Sequence, residues 1–182
     1  LFASKPFEDI GDSYLVSNIA EGTIRLAIFV AYVALIGLLP DIRRVYMYHG
    51  AEHMAVHAKE NGRPLTSQEI RNFPTAHPRC GTAFLLTVML TSIVIFSLLP
   101  RDPLWWLVTS RVVFIPVIAG ISYEMIRFSS MHSQNVLVRA LMAPNLWLQS
   151  LTTKIPDEDQ IEVAISAMTG AIESDMRTQP RI

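Results

Sequence analysis

His49 and His53 stand four residues apart, with Glu52 between them, in Tyr48-His49-Gly50-Ala51-Glu52-His53. On a helix, side chains at that spacing leave one face a turn apart, so two imidazoles can grip one metal ion. Glu52, on the adjacent edge, would act as general base toward a metal-bound water. The string is H-x-x-E-H, the inverted zincin motif. A third ligand must come from elsewhere. His77 and Cys80, in His77-Pro78-Arg79-Cys80-Gly81-Thr82, are both zinc ligands by type. Glu124 is a glutamate far downstream, the third-ligand position of an inverted zincin. We rank His77 first, then Glu124, then Cys80. Arg79 or Arg44 would stabilise an anionic transition state or hold a lipid headgroup. His57 extends the stripe but lies about 12 Å along the helix from His49. That is too far to share its ion, and His57 reads, with His132, as a surface residue.

Plainer readings stand beside these. Histidines at a membrane surface are often simple interfacial residues, and Glu52 has Arg43, Arg44 and Arg79 as salt-bridge partners. A lone cysteine such as Cys80 is more often a small buried hydrophobe than a ligand. Asn18, Glu21 and Arg25 read as a polar stripe between packed helices, although a charge inside a membrane is a functional signal by default.

The elements that must position these residues are apolar helices. Of the 182 residues, 51% are hydrophobic and 17% charged, and the mean hydropathy is +0.33, a balance that points to membrane immersion. The net charge of −1 leaves no basic excess for nucleic acid. With Cys80 as the single cysteine, no intrachain disulfide forms. The chain starts at Leu1 rather than Met, which suggests a processed chain or a fragment. Spans are expected near residues 15–39, 83–99 and 104–121, with Arg25 snorkelling or pairing with Glu21. The last two form a hairpin through Pro100-Arg101-Asp102-Pro103, followed by Trp105 and Trp106 at the level of an aromatic belt.

The polar segment 41–82 carries Arg43, Arg44, Lys59, Arg63, Arg71 and Arg79, against Arg101 on the opposite turn. The positive-inside rule then places this segment, with the His49–His53 loop and the C-terminus, in the cytoplasm. Residues 132–153, interrupted by Pro144, read as an interfacial helix pair. Asp157 and Gln160 have capping-box spacing. Beyond them Ile161, Ile165, Met168, Ile172 and Met176 form an apolar stripe that needs a partner. The fold class is therefore all-α: a polytopic helical membrane protein of about three spans, with interfacial and C-terminal amphipathic helices over 132–178, built as a single membrane domain over 1–182.

Several motifs, in order, resemble one bacterial family. They are Asp41-Ile42-Arg43-Arg44, the His49 string, the His77 string, Gly120-Ile121-Ser122-Tyr123-Glu124 and Leu148-Gln149-Ser150-Leu151-Thr152-Thr153. From about Asn18 to about Met168 the chain is similar to the YqhQ-like multi-pass membrane proteins, which are of unknown function and often described as metal-dependent enzymes. The resemblance implies a location in the bacterial cytoplasmic (inner) membrane. It also implies that a Gly-Gly-Gln-Ala-type N-terminal segment of longer members is missing here. The chain departs from the family at Met54, where a lysine is usual, and at Pro144-Asn145, where Pro-Gly is usual.

The preferred expectation is a cytoplasm-facing enzyme holding Zn²⁺ or another divalent transition metal, a hydrolase acting on a peptide or lipid at the membrane face. The alternative is a non-catalytic membrane scaffold or assembly factor. A third reading is an oligomeric transporter or channel. Membrane lipid and a second copy of the chain are the expected partners, and nucleic acid is not.

Overall fold

The computed structural model describes residues 14–178 apart from 101 and 133. The charge of Arg101 lies outside these residues. The described residues are all-helical: α1 (Tyr14–Ile36), α2 (Pro40–Glu60), α3 (Ser67–Ile70), α4 (Gly81–Ser97), α5 (Leu104–Met131), α6 (Val136–Thr152) and α7 (Glu158–Thr178). Among the described residues two helices are long and apolar enough to cross a membrane, over Leu15–Ile36 and Leu104–Met131, while the apolar α4 is shorter. Where the sequence reads as one domain, the packing divides into two compact units. The first comprises residues to 32 and 78–148, the second 33–77 and 149 onward.

In the first unit α4 and α5 form the expected hairpin, with Ala83 and Ile126 buried against each other beside Cys80. Its interior is polar for a helical unit: Asn18, Glu21, Thr87, Ser110, Ser122, Ser129 and Asn145 are buried, whereas Ile28, Val94, Val112 and Ile115 are exposed. Small and hydroxyl-bearing residues at helix contacts let backbones approach closely. Asn145 Nδ2 donates to Thr87 Oγ1 at 3.1 Å, and Thr87 Oγ1 donates to the Ala83 carbonyl at 2.8 Å. Arg25 pairs with Glu21 one turn earlier. Two helices run further than expected. α5 continues past 121 to Met131 with Pro116 inside it, and α6 is one helix through Pro144 rather than a broken pair. A proline removes one i→i−4 bond and usually kinks a helix, but here the flanking turns hold.

The second unit is built on α2. Its first turn places Pro40 where the missing N–H is not needed. Ala51, Met54, Ala55 and Ala58 form a smooth face that buries Ile70 and Ile161, with Leu65, Phe73, Ala164 and Ile165 around them. The C-terminal stripe thus finds its partner in α2 over its first turns, while Met176 at the far end is exposed. The capping box closes as the spacing requires. Gln160 N–H donates to Asp157 Oδ1 at 3.0 Å, and Asp157 N–H donates to Gln160 Oε1 at 2.9 Å.

Candidate metal centre

Helix α2 sets His49, His53, His57 and Glu60 in one row, because steps of four, four and three residues keep returning to the same face. Backbone segments lie along that row and fix the rings. His49 Nδ1–H donates to the Thr152 carbonyl at 3.0 Å. His53 Nδ1–H donates to the Thr75 carbonyl at 2.7 Å, and His57 Nε2–H donates to the Ala76 carbonyl at 2.9 Å. A carbonyl only accepts, so each bond selects the tautomer and leaves the lone pair on the other ring nitrogen. Metal-ligating histidines are oriented by such outer hydrogen bonds. The close approach of residues 152–154 depends on Gly50, where a Cβ would run into the Lys154 carbonyl. Lys154 N–H donates to the Tyr46 carbonyl at 2.9 Å.

His77 reaches the row from the segment after α3. Its ring centroid lies 4.6 Å from that of His57 and 5.8 Å from that of His53, while His49 and His53 are 4.3 Å apart. Gln149, fully buried, holds the His77 backbone with both ends of its amide. The His77 N–H donates to Gln149 Oε1 at 2.8 Å, and Gln149 Nε2 donates to the His77 carbonyl at 2.9 Å. His77 Nε2 lies 3.2 Å from Glu60 Oε2. Burial lowers the His77 pKa below the ordinary imidazole value, and nearby His57 and His53 lower it further against the opposing hydrogen bond of Glu60. A neutral imidazole is the form that binds metal. The ligand atoms of His57, Glu60 and His77 all lie within 4.8 Å of one another.

The sequence-derived candidates are distributed as follows. His49, His53 and His77 meet in this row. Glu52 is exposed on α2 and stands outside the His57–Glu60–His77 group. Cys80, Arg79 and Glu124 belong to the first unit. Cys80 caps α4, its Sγ accepting from the Thr82 N–H at 3.4 Å. Glu124 is exposed and 3.5 Å from Arg127. Arg79 lines a cavity of ≈ 520 Å³ together with Tyr123 and Arg127. Arg44 is exposed, its Nη2 3.5 Å from the Tyr48 hydroxyl.

His57 is half-buried and central rather than a surface residue, which corrects the sequence reading. Measuring its distance from His49 ruled out one shared ion but not an ion of its own. Glu60 and Gln149 were also missed. Glu60 continues the helical spacing of His49, His53 and His57, a signal legible in the sequence. Gln149 lies in one of the ordered motifs, but its role exists only once residue 77 is beside it.

Comparison with known proteins agrees with the ordered motifs. Residues 2–174 match the family described as "Protein of unknown function (DUF1385)". The chain is also 37% identical over 147 residues to "Uncharacterized protein YqhQ" of Bacillus subtilis (strain 168), covering 81% of this chain and 46% of that protein. The chain therefore spans about half the length of the curated relative it matches. No solved structure matches. The chain belongs to the DUF1385 family of proteins of unknown function.

Proposed function

We propose that this chain is part of a membrane-embedded, metal-dependent hydrolase whose ion is held by His57, His77 and Glu60. The observation that carries this reading is the convergence of two nitrogens and a carboxylate oxygen within 4.8 Å, with the His57 ring oriented by the Ala76 carbonyl and the His77 backbone held by Gln149. Two histidines and one glutamate form the ligand set of a catalytic zinc site, which keeps a fourth position open. Zinc held by these residues would supply Lewis-acid chemistry and would lower the pKa of a water to about 7. His53, 5.8 Å from His77 between ring centroids, offers a neighbouring basic nitrogen. Glu52 faces outward and is not given the base role.

Membrane insertion of α1, α4 and α5 is supported by their apolar outer surfaces and the polar contacts between them. The basic residues of α2 and the following segment favour a cytoplasmic position for the centre in a bacterial inner membrane. The substrate is then a peptide or lipid presented at that face. Elemental analysis of the purified protein tests the proposal. One zinc-class ion per chain, lost in His57→Ala and in His77→Ala, is expected. Absence of any stoichiometric transition metal after reconstitution would sink it.

One observation favours a second reading, a non-catalytic scaffold. The same carbonyl bonds that orient the imidazoles also fasten residues 75–76 and 152 to α2, which is sufficient employment for structural histidines. Under that reading metal is absent and the row serves only to hold the unit together.

A further inference from the structure

A cavity of ≈ 390 Å³ lies between α4, α5 and α6, and all of its lining residues belong to the first unit. Its wall is mainly aliphatic, with Leu90, Ile95 and Met142 among the side chains, and none of the described residues lining it carries a charge. Val94, Ile121 and Leu141 line it and are exposed, so the cavity opens on the apolar outer surface of the unit. The α4 wall runs from Thr87 to Ile95, about 12 Å of helix. Thr91 Oγ1 lies 3.9 Å from Met125 Sδ, which sets α4 and α5 antiparallel along the cavity, with Thr87 at one end and Ile95 and Ile121 at the other.

The Thr87 end is polar. Asn145, 6% exposed, lines the cavity there. Thr87 Oγ1 gives its proton to the Ala83 carbonyl at 2.8 Å, so toward Asn145 it accepts, taking Nδ2–H at 3.1 Å. Nδ2 also lies 3.7 Å from Met142 Sδ. These contacts fix which way the amide faces and leave Oδ1, which is buried and has no hydrogen-bond partner. A buried acceptor with nothing to accept from destabilises the fold, so the polar end of the cavity calls for a donor.

We propose that this cavity binds an apolar lipid whose head is a neutral hydroxyl, the O–H donating to Asn145 Oδ1 and the hydrocarbon lying toward Ile95 and Ile121. The aliphatic wall selects a hydrocarbon body, and the lone acceptor selects a donor at its head. A charged headgroup would lose its water with no opposite charge to meet it. A plain acyl chain would fill the space and leave the acceptor unmade. Long-chain and polyisoprenoid alcohols have the required form, and a diacylglycerol carries the same hydroxyl beside its ester chains. The inference rests on membrane insertion of α4 and α5 and is independent of the metal centre.

Competition photolabelling of the whole chain in phosphatidylcholine nanodiscs tests it. A diazirine-bearing alkyl alcohol is crosslinked and its positions are read by mass spectrometry, while decanol, decyl methyl ether and decane compete at matched bilayer mole fractions. Label is expected on the cavity residues of α4, α5 and α6. Decanol displaces it at about tenfold lower mole fraction than the ether or the alkane, the scale of one hydrogen bond. Asn145→Leu keeps the cavity apolar and abolishes that advantage; should the variant fail to fold, the ratio in the parent decides alone. A polyisoprenoid alcohol and a diacylglycerol, run as further competitors, tell the two sources of the hydroxyl apart. Equal potency of alcohol, ether and alkane, label outside the cavity, or an alcohol advantage that survives Asn145→Leu overturns the site. Alkaline extraction of membranes is read separately: release of the chain would refute insertion itself, whatever the labelling result.

Discussion

Gln149 reads the backbone of His77 as one strand reads another, accepting from its N–H at 2.8 Å and donating to its carbonyl at 2.9 Å. Both groups are buried, so neither can turn to water when the amide is removed. Gln149→Ala is expected to lower stability by about 2–4 kcal/mol, the cost of orphaning two backbone groups. The check is the unfolding midpoint in denaturant. A loss below ~1 kcal/mol would mean that the clamp is incidental.

Metal affinity should sort the histidines. His57→Ala and His77→Ala are expected to weaken zinc binding by more than about a hundredfold, beyond what loss of an outer hydrogen-bond partner causes. Glu52→Gln and His49→Ala are expected to bind within about tenfold of the parent. Competition titration against a chromogenic chelator measures both. The reverse order would move the centre to the H-x-x-E-H pair.

Gly50 is the one position on α2 where another backbone comes too near for a side chain. In Gly50→Ala the new methyl meets the Lys154 carbonyl, and a backbone atom cannot swing aside. Overpacking of this kind costs about 1–3 kcal/mol. The variant is expected to unfold earlier and to lose the Lys154–Tyr46 bond, read as faster amide exchange at Lys154.

Glu158, on the first turn of α7, holds α3 by accepting from Ser67 and pairing with Arg71. Those partners, Ser67 first, hold its pKa below the ordinary carboxylate value. A lowered carboxylate pKa stabilises the folded state above the unfolded value, and that contribution disappears as pH falls through the folded one. Glu158→Gln should therefore be less stable than the parent at neutral pH and indistinguishable from it in acid. Parallel thermal melts across pH decide this, and a gap that persists in acid contradicts it.

Local rules made much of this fold legible. The apolar runs located α1, α4 and α5, and the 157/160 spacing announced a cap that closes with both of its bonds. The Glu21–Arg25 pair followed from a one-turn separation. What escaped depends on contacts between distant segments. Pro116 and Pro144 read as punctuation, but they lie within helices whose flanking turns outweigh one lost bond. His57 looked superficial because nothing local brings residues 73–77 alongside α2. The match between His77 and Gln149, 72 residues apart, has no trace in either neighbourhood.

The ring bonds of α2 divide each imidazole between two duties. One nitrogen of His53 or His57 is spent on a main-chain oxygen and belongs to the architecture; the other belongs to whatever occupies the row. Architecture and chemistry can therefore be inherited separately. A descendant that replaced such a histidine with another side chain donating to the same carbonyl would keep its shape while losing the proposed ion site. Structural likeness alone would then be a poor guide to which family members carry the proposed centre.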